Sequence, residues 1–238
     1  MTKTRLTLIH GFCGGPGYFD KVKGRLERSF DVTLLTLPGH DGADAGPEMI
    51  EEFAACVLES ISEEDEKPVL IGHSFGGYIT ASIVASHPEK LSGFGLVYST
   101  GRPDTDEAKQ KRDANIKIIQ EQGIRPFVDG MIPGLFADDA DATVVEHARD
   151  IGYETSEEGA IRALKAMRDR DDYVDALSEA KIPGLLIRGE EDDLIPEERA
   201  FAPDGEHLTK VVTKSGHMGM LEDPDAFCEA IEGCFLSK

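Results

Sequence analysis

Two kinds of hydrophobic pattern alternate along the chain. Short apolar runs occupy Arg5 to Ile9, Asp31 to Leu37, Val69 to Ile71, part of Leu91 to Tyr98, Gly184 to Arg188, and Lys210 to Thr213. They are near-continuously apolar rather than alternating, which predicts parallel strands covered on both faces. Between them, apolar residues recur at helical spacing. Phe19, Val22 and Leu26 mark one face of a helix from Tyr18 to Arg28. Ile50, Phe53, Ala54, Val57, Leu58 and Ile61 mark another from Pro47 to Ser62. Tyr78 to Ala85 and Pro224 to Phe235 read as two more, and His87-Pro88 stops the first of these. Glu63 to Glu66 reads as an acidic linker. Strands alternating with helices in this way predict an α/β fold with helices on both faces of one parallel sheet.

The interval from Gly101 to Lys181 breaks the alternation, having helical spacing and no convincing strand. Ala108, Arg112, Asn115, Ile116 and Ile119 trace one helix between Asp104 and Gln122. Phe127 to Phe136 is apolar but interrupted by Gly130, Pro133 and Gly134. Helices are expected over Thr143–Ile151, Ser156–Met167 and Asp172–Ala180. Linkers do not carry amphipathic helices, so residues 101–181 are expected to form an inserted helical cap (lid). Residues 1–100 and 182–238 then make the core domain. No internal repeat is visible.

Composition narrows the partners. The 238 residues include 46 acidic against 25 basic side chains, a net charge of −21. Such a surface repels phosphate backbones and anionic lipid, so neither nucleic acid nor membrane is expected as a partner. The charge serves solubility; adaptation to salt is the sharper alternative. No apolar run is long enough to cross a bilayer. Met1 to Arg5 runs straight into the first strand without a signal-peptide core, so a cytoplasmic protein is expected. Cys13, Cys56, Cys228 and Cys234 lack metal-ligand spacing and are expected to be reduced thiols.

The chemistry centres on Gly72-His73-Ser74-Phe75-Gly76, set between a strand and a helix. Gly-x-Ser-x-Gly in that context is the nucleophile elbow, a turn so tight that larger side chains at either glycine would collide. It lifts Ser74 to the carboxyl end of a central strand. A serine hydroxyl needs a base, and the base an orienting acid, supplied by loops at the same sheet edge. Of seven histidines, His217 lies just past the last strand. His73 reads as a structural neighbour and His10 as a holder of the first loop. His40, His87, His147 and His207 read as surface or turn residues. After the fifth strand, Glu190, Glu191, Asp192 and Asp193 offer four carboxylates. Spacing favours Asp192, with Asp193 next. For an oxyanion hole, Phe75 supplies a backbone N–H at a helix start and Phe12 the other, with Cys13 as the fallback.

His10-Gly11-Phe12, Leu37-Pro38-Gly39-His40, the elbow, Gly189-x-x-Asp192-x-x-x-Pro196 and Gly216-His217 together resemble the α/β-hydrolase superfamily, in its order and over nearly the whole chain. The resemblance implies a Ser74–His217–Asp192 triad and a helical cap over the site. The family commonly begins with two further strands before the oxyanion strand. Their absence here implies a trimmed, six-stranded, all-parallel sheet.

Serine at the elbow speaks against haloalkane dehalogenases and epoxide hydrolases. The expected activity is carboxylic-ester hydrolysis of small to medium acyl chains, with a small-molecule ester as substrate. No cofactor and no metal are expected, and the protein should be a monomer or homodimer. Alternatives are the same triad used by a C–C bond hydrolase, thioesterase, perhydrolase or menaquinone-pathway-like lyase, or a ligand-binding protein on this scaffold. Ile119, Phe127, Met131 and Leu135 are the expected acyl-pocket residues, with Ile116, Ile132 and Phe136 also in range. Arg102 and Arg125 are candidates for binding a substrate carboxylate.

Overall fold

A computed structural model describes residues 3–61 and 66–236. Ser62 and all but the last residue of the expected Glu63–Glu66 linker lie outside the described residues, as do Met1 and Thr2. Six strands form one sheet: β1 (Thr4–Ile9), β2 (Phe30–Leu35), β3 (Val69–His73), β4 (Gly93–Val97), β5 (Gly184–Gly189) and β6 (Leu208–Thr213). Their order is β2-β1-β3-β4-β5-β6 and every pairing is parallel. The inner strands β3 and β4 are buried along their whole length, whereas the edge strands β2 and β6 are partly exposed. The apolar runs therefore read differently at the edges because only the interior of the sheet is covered on both faces.

Four helices cover the core on its two faces. Helices α1 (Asp20–Leu26) and, near the C-terminus, Pro224–Phe235 pack together on one face. Helices α2 (Ile50–Ile61) and α3 (Phe75–Ser86) pack together on the other. The chain runs from β1 outward to β2, then returns to β3 on the opposite side of β1. The loops leaving β1 and β3 thus diverge to opposite faces. A crevice opens at the carboxyl ends of these two strands, the place where open α/β sheets bind ligands.

Between β4 and β5 lie α4 (Asp106–Gln122), α5 (Ile124–Met131), α6 (Ala142–Tyr153), α7 (Glu157–Asp169) and α8 (Val174–Glu179). Helix α4 packs along α7 and α5, while α8 packs down onto α3. Gly130 does not interrupt α5, since a helix tolerates one glycine at a cost of about 1 kcal/mol. The interruption comes instead at Pro133, inside a 3₁₀ turn over Ile132–Leu135. Two short helices, α9 (Glu197–Ala200) and α10 (Gly219–Glu222), had no sequence signal, and the Pro224–Phe235 helix is α11.

Some boundaries shift for visible reasons. The first two residues of the helix expected from Tyr18 belong instead to a 3₁₀ turn over Pro16–Phe19, with Pro16 and Gly17 at its start, and α1 begins at Asp20. Strand β2 stops at Leu35, and the Leu37 amide donates instead to His10 Nε2 at 3.0 Å.

Candidate active site

The turn after β3 carries Ser74 at φ 50°, ψ −111°, in a region that non-glycine residues avoid. Such a conformation costs about 1–3 kcal/mol and persists only where its surroundings enforce it. Here the Ser74 amide donates to Val97 O (3.1 Å), and Ser99 Oγ and the Gly77 amide both donate to Ser74 O (2.7 and 2.9 Å). A methyl group at Gly72 would stand 2.1 Å from the Gly76 carbonyl oxygen, so the turn requires glycine. Ser74 caps α3, whose N-terminal amides favour negative charge beside the hydroxyl.

The loop after β1 is drawn against this turn. A methyl at Gly11 would sit 3.2 Å from Ser74 Cβ. His10 bridges two strand ends: its Nδ1–H donates to Gly11 O at 2.9 Å while Nε2 accepts from Leu37. Cys13 adopts φ 49°, with its carbonyl accepting from the Tyr18 hydroxyl at 2.8 Å. Among the described residues, no hydrogen bond engages the amides of Phe12, Cys13 or Phe75. The Cys13 thiol is fully buried, and burial pushes its pKa far up, keeping it protonated.

Asp192 and His217 leave the ends of β5 and β6 and meet. His217 Nδ1 donates to Asp192 Oδ2 at 2.8 Å, with both side chains buried. The other carboxylate oxygen, Oδ1, accepts from the amides of Leu194 and Ile195 at 3.0 and 3.1 Å. Burial alone would raise the Asp192 pKa. The facing His217, its hydrogen bond and these two amides outweigh it and hold the carboxyl below its ordinary range. A carboxylate only accepts, so Nδ1 carries a proton, and in the neutral ring Nε2 is the basic nitrogen. Glu190, Glu191 and Asp193 point to solvent.

The His217 loop is clamped on all sides. The His217 amide donates to Leu135 O (2.8 Å), and its carbonyl accepts from His73 Nε2 (3.0 Å). Glu222, on α10, accepts from the amides of Gly216 (3.1 Å), Met218 (3.0 Å) and Ala137 (2.9 Å). One carboxylate therefore ties both neighbours of His217 to the segment preceding α6. Glu222 had no sequence signal, since its partners lie on either side of a loop and in a distant insertion.

His40 corrects one expectation. It lies in a turn, as expected, but is fully buried rather than at the surface. Its ring packs against His10, Phe12 and Phe75, at centroid distances of 5.3, 6.1 and 6.1 Å. Burial lowers its pKa to about 4 and that of His10 to about 3, His40 adding to the latter. Burial, together with the adjacent His217, also lowers His73 strongly. These three imidazoles stay neutral and serve as fixed hydrogen-bonding and packing groups. His87 is exposed; His147 and His207 are half-buried and bonded to backbone carbonyls.

Ser74 and His217 open into one cavity of about 380 Å³, walled on its far side by the helices between β4 and β5. Of the expected pocket residues, Met131 and Leu135 line it. Ile119 and Phe127 do not. Ile119 is wholly buried in the core that α4 shares with its neighbours, and Phe127 packs edge-on against Phe12 at 5.9 Å. The reason is that α4 turns its polar stripe toward the cavity, including Glu107, Lys111, Arg112 and Asn115. Arg102 and Arg125 also lie outside the lining: Arg102 pairs with Asp172 at 3.2 Å, and Arg125 stacks 4.2 Å over the Tyr153 ring. The lining arginines are Arg112, Arg170 and Arg199. Among the described residues, no three His, Cys, Asp or Glu side chains gather as a metal site, and no helix is long and apolar enough to cross a membrane.

A family model described as "Alpha/beta hydrolase family" matches residues 8–230. The chain belongs to the alpha/beta hydrolase family. Similar curated proteins are esterases. The pimeloyl-(acyl-carrier protein) methyl ester esterase of Neisseria meningitidis is 27% identical over 94% of this chain and 74% of its own. That of Salmonella paratyphi A is 25% identical over 95% and 91%. Among solved structures, an esterase from Thermogutta terrifontis superposes with a TM-score of 0.88 at 26% identity, covering 98% of this chain and 90% of its own. The enol-lactonase of Burkholderia xenovorans superposes at 0.91 with 19% identity, over 100% and 93%, a likeness of fold alone.

Proposed function

We propose that this hydrolase cleaves carboxylic esters of small to medium acyl chain through an acyl-enzyme formed on Ser74. His217 Nε2 takes the hydroxyl proton as Ser74 Oγ bonds to the ester carbonyl carbon. The carbonyl oxygen becomes an oxyanion, which the Phe12 and Phe75 amides stabilise. Collapse breaks the ester C–O bond, and the imidazolium returns its proton to the departing alcohol. Water then attacks the acyl-serine with the same base, releasing the acid. Asp192 fixes the imidazole tautomer and stabilises the imidazolium without itself taking a proton. Helices α4 to α7 act as the cap that shapes the acyl side of the cavity.

The observation that carries this reading is the 2.8 Å His217–Asp192 bond beside a strained Ser74, with Ser74 and His217 facing one cavity. The names of the curated relatives, methyl ester esterases, point the same way. The test compares wild type with Ser74→Ala on p-nitrophenyl acetate and butyrate, beside labelling by a fluorophosphonate probe. Loss of turnover and labelling in a variant with unchanged circular dichroism supports the assignment. Turnover that persists in the variant refutes it.

A further inference from the structure

Charge is distributed unevenly around the cavity. The chain as a whole carries −21, yet the lining holds four cationic side chains, Lys111, Arg112, Arg170 and Arg199, against two carboxylates, Asp104 and Glu107. Lys111 and Glu107 pair with each other at 3.2 Å and are mostly in solvent, so they cancel. What remains is three guanidinium groups and one carboxylate.

Asp104 is nearly buried and shared by two arginines: Arg170 Nη1 at 2.7 Å and Arg112 Nε at 3.1 Å. The Arg170 side chain is 2% exposed and otherwise committed. It donates to Met167 O and Arg102 O and stacks 3.9 Å over the Tyr78 ring. Its role is structural. Arg112 differs. Asp104 holds it through Nε alone, and among the described residues nothing accepts from its Nη1 or Nη2, although its side chain is only 22% exposed. Arg199 Nη2 donates only to the neutral Pro103 carbonyl, at 2.6 Å.

A half-buried guanidinium with an unengaged pair of terminal nitrogens is a fork for a planar oxyanion. Low local dielectric strengthens that contact relative to water. We propose that Arg112, assisted by Arg199, forms an anion subsite that selects esters whose end remote from the scissile carbonyl is a carboxylate. This rests on the esterase reading for its direction but not for its existence, because the subsite binds an anion whether or not Ser74 reacts.

The test measures binding first. Calorimetry on the Ser74→Ala protein compares monomethyl succinate, adipate and suberate with methyl butanoate, hexanoate and octanoate. At one chain length the half-ester should bind at least tenfold tighter. Arg112→Gln should remove roughly tenfold to hundredfold of that preference, the range of one charge-assisted pair. Arg112→Lys should restore it only in part, because an ammonium has no fork. Should Arg112→Gln fail to fold, Arg112→Lys and Arg199→Gln carry the same comparison. No preference at any length, or a preference untouched by every arginine variant, overturns the proposal. Tighter Arg112-dependent binding of hexyl phosphate than of any half-ester overturns the carboxylate assignment. Wild-type turnover separates the two readings. Half-ester preference without turnover or Ser74 labelling leaves the subsite standing and removes the esterase. Turnover without preference does the reverse.

Discussion

The two walls of the cavity are built on different physical terms. On the sheet side, the proposed reacting groups are held by backbone. Ser74 sits on a strained turn fixed by Val97, Ser99 and Gly77, and Asp192 by two amides. The His217 loop is tied through its own amide and carbonyl and, through Glu222, through both flanking amides. On the helical side, side chains hold one another: Arg112 and Arg170 share Asp104, and Met131 is only partly buried. A backbone-fixed wall presents the same geometry to every substrate. A side-chain wall can change its selectivity with one substitution while the reacting atoms stay in place.

The largest effect comes from the sheet side. Asp192→Asn keeps the shape but lets Nδ1 accept, placing the proton on the wrong nitrogen. Steady-state kinetics should show kcat falling by roughly 10³–10⁴ for every ester tested. A loss under tenfold, or one confined to some substrates, breaks the comparison.

An intermediate effect separates two residues of the helical wall. Ile119→Ala should cost about 2–5 kcal/mol by denaturant unfolding, as for a wholly buried aliphatic side chain, and leave chain-length preference in place. Met131→Ala should cost less stability and shift the acyl-length profile toward longer chains, because it removes lining. The same shift from both variants would mean that lining and core cannot be told apart on this side.

The narrowest test is a pH dependence of stability. His10 and His40 have folded pKa values of about 3 and about 4, against an ordinary 6.5. Below pH 6.5 the unfolded chain binds protons that these buried rings refuse, so folding stability falls as pH drops from 6.5 toward 4. Each ring contributes at most about 1.4 kcal/mol per pH unit. The lowered Asp192 pKa acts in the same sense, its stabilisation fading as pH falls through the folded value. Melting temperatures read from pH 7 to 4.5 should decline, and more shallowly for His40→Asn. An equal slope would exclude His40 as a contributor.

Much of this arrangement was legible in the sequence because it is written locally. A buried parallel strand needs a continuous apolar run, and a tight strand-to-helix turn needs glycine at 72. Loops that close on one sheet edge follow the order of the strands, which singles out Ser74, Asp192 and His217 in the sequence alone. The choice of Asp192 over Asp193 was already favoured by spacing, and burial with two amide donors distinguishes them in three dimensions. The six-stranded parallel sheet was legible for the same reason.

What only the tertiary structure decided lies wherever a side chain's role depends on residues far away in the chain. Spacing shows that α4 has two faces, but not that the polar one meets the cavity while Ile119 turns into the core. His40 looks like any turn histidine until Phe12 and Phe75 close around it. Glu222 acquires its role from Ala137, 85 residues away, and Arg112 stands out only because Arg170 also claims Asp104. Local pattern determines backbone, because backbone conformation is set by near neighbours. Which groups share a cavity is settled by packing.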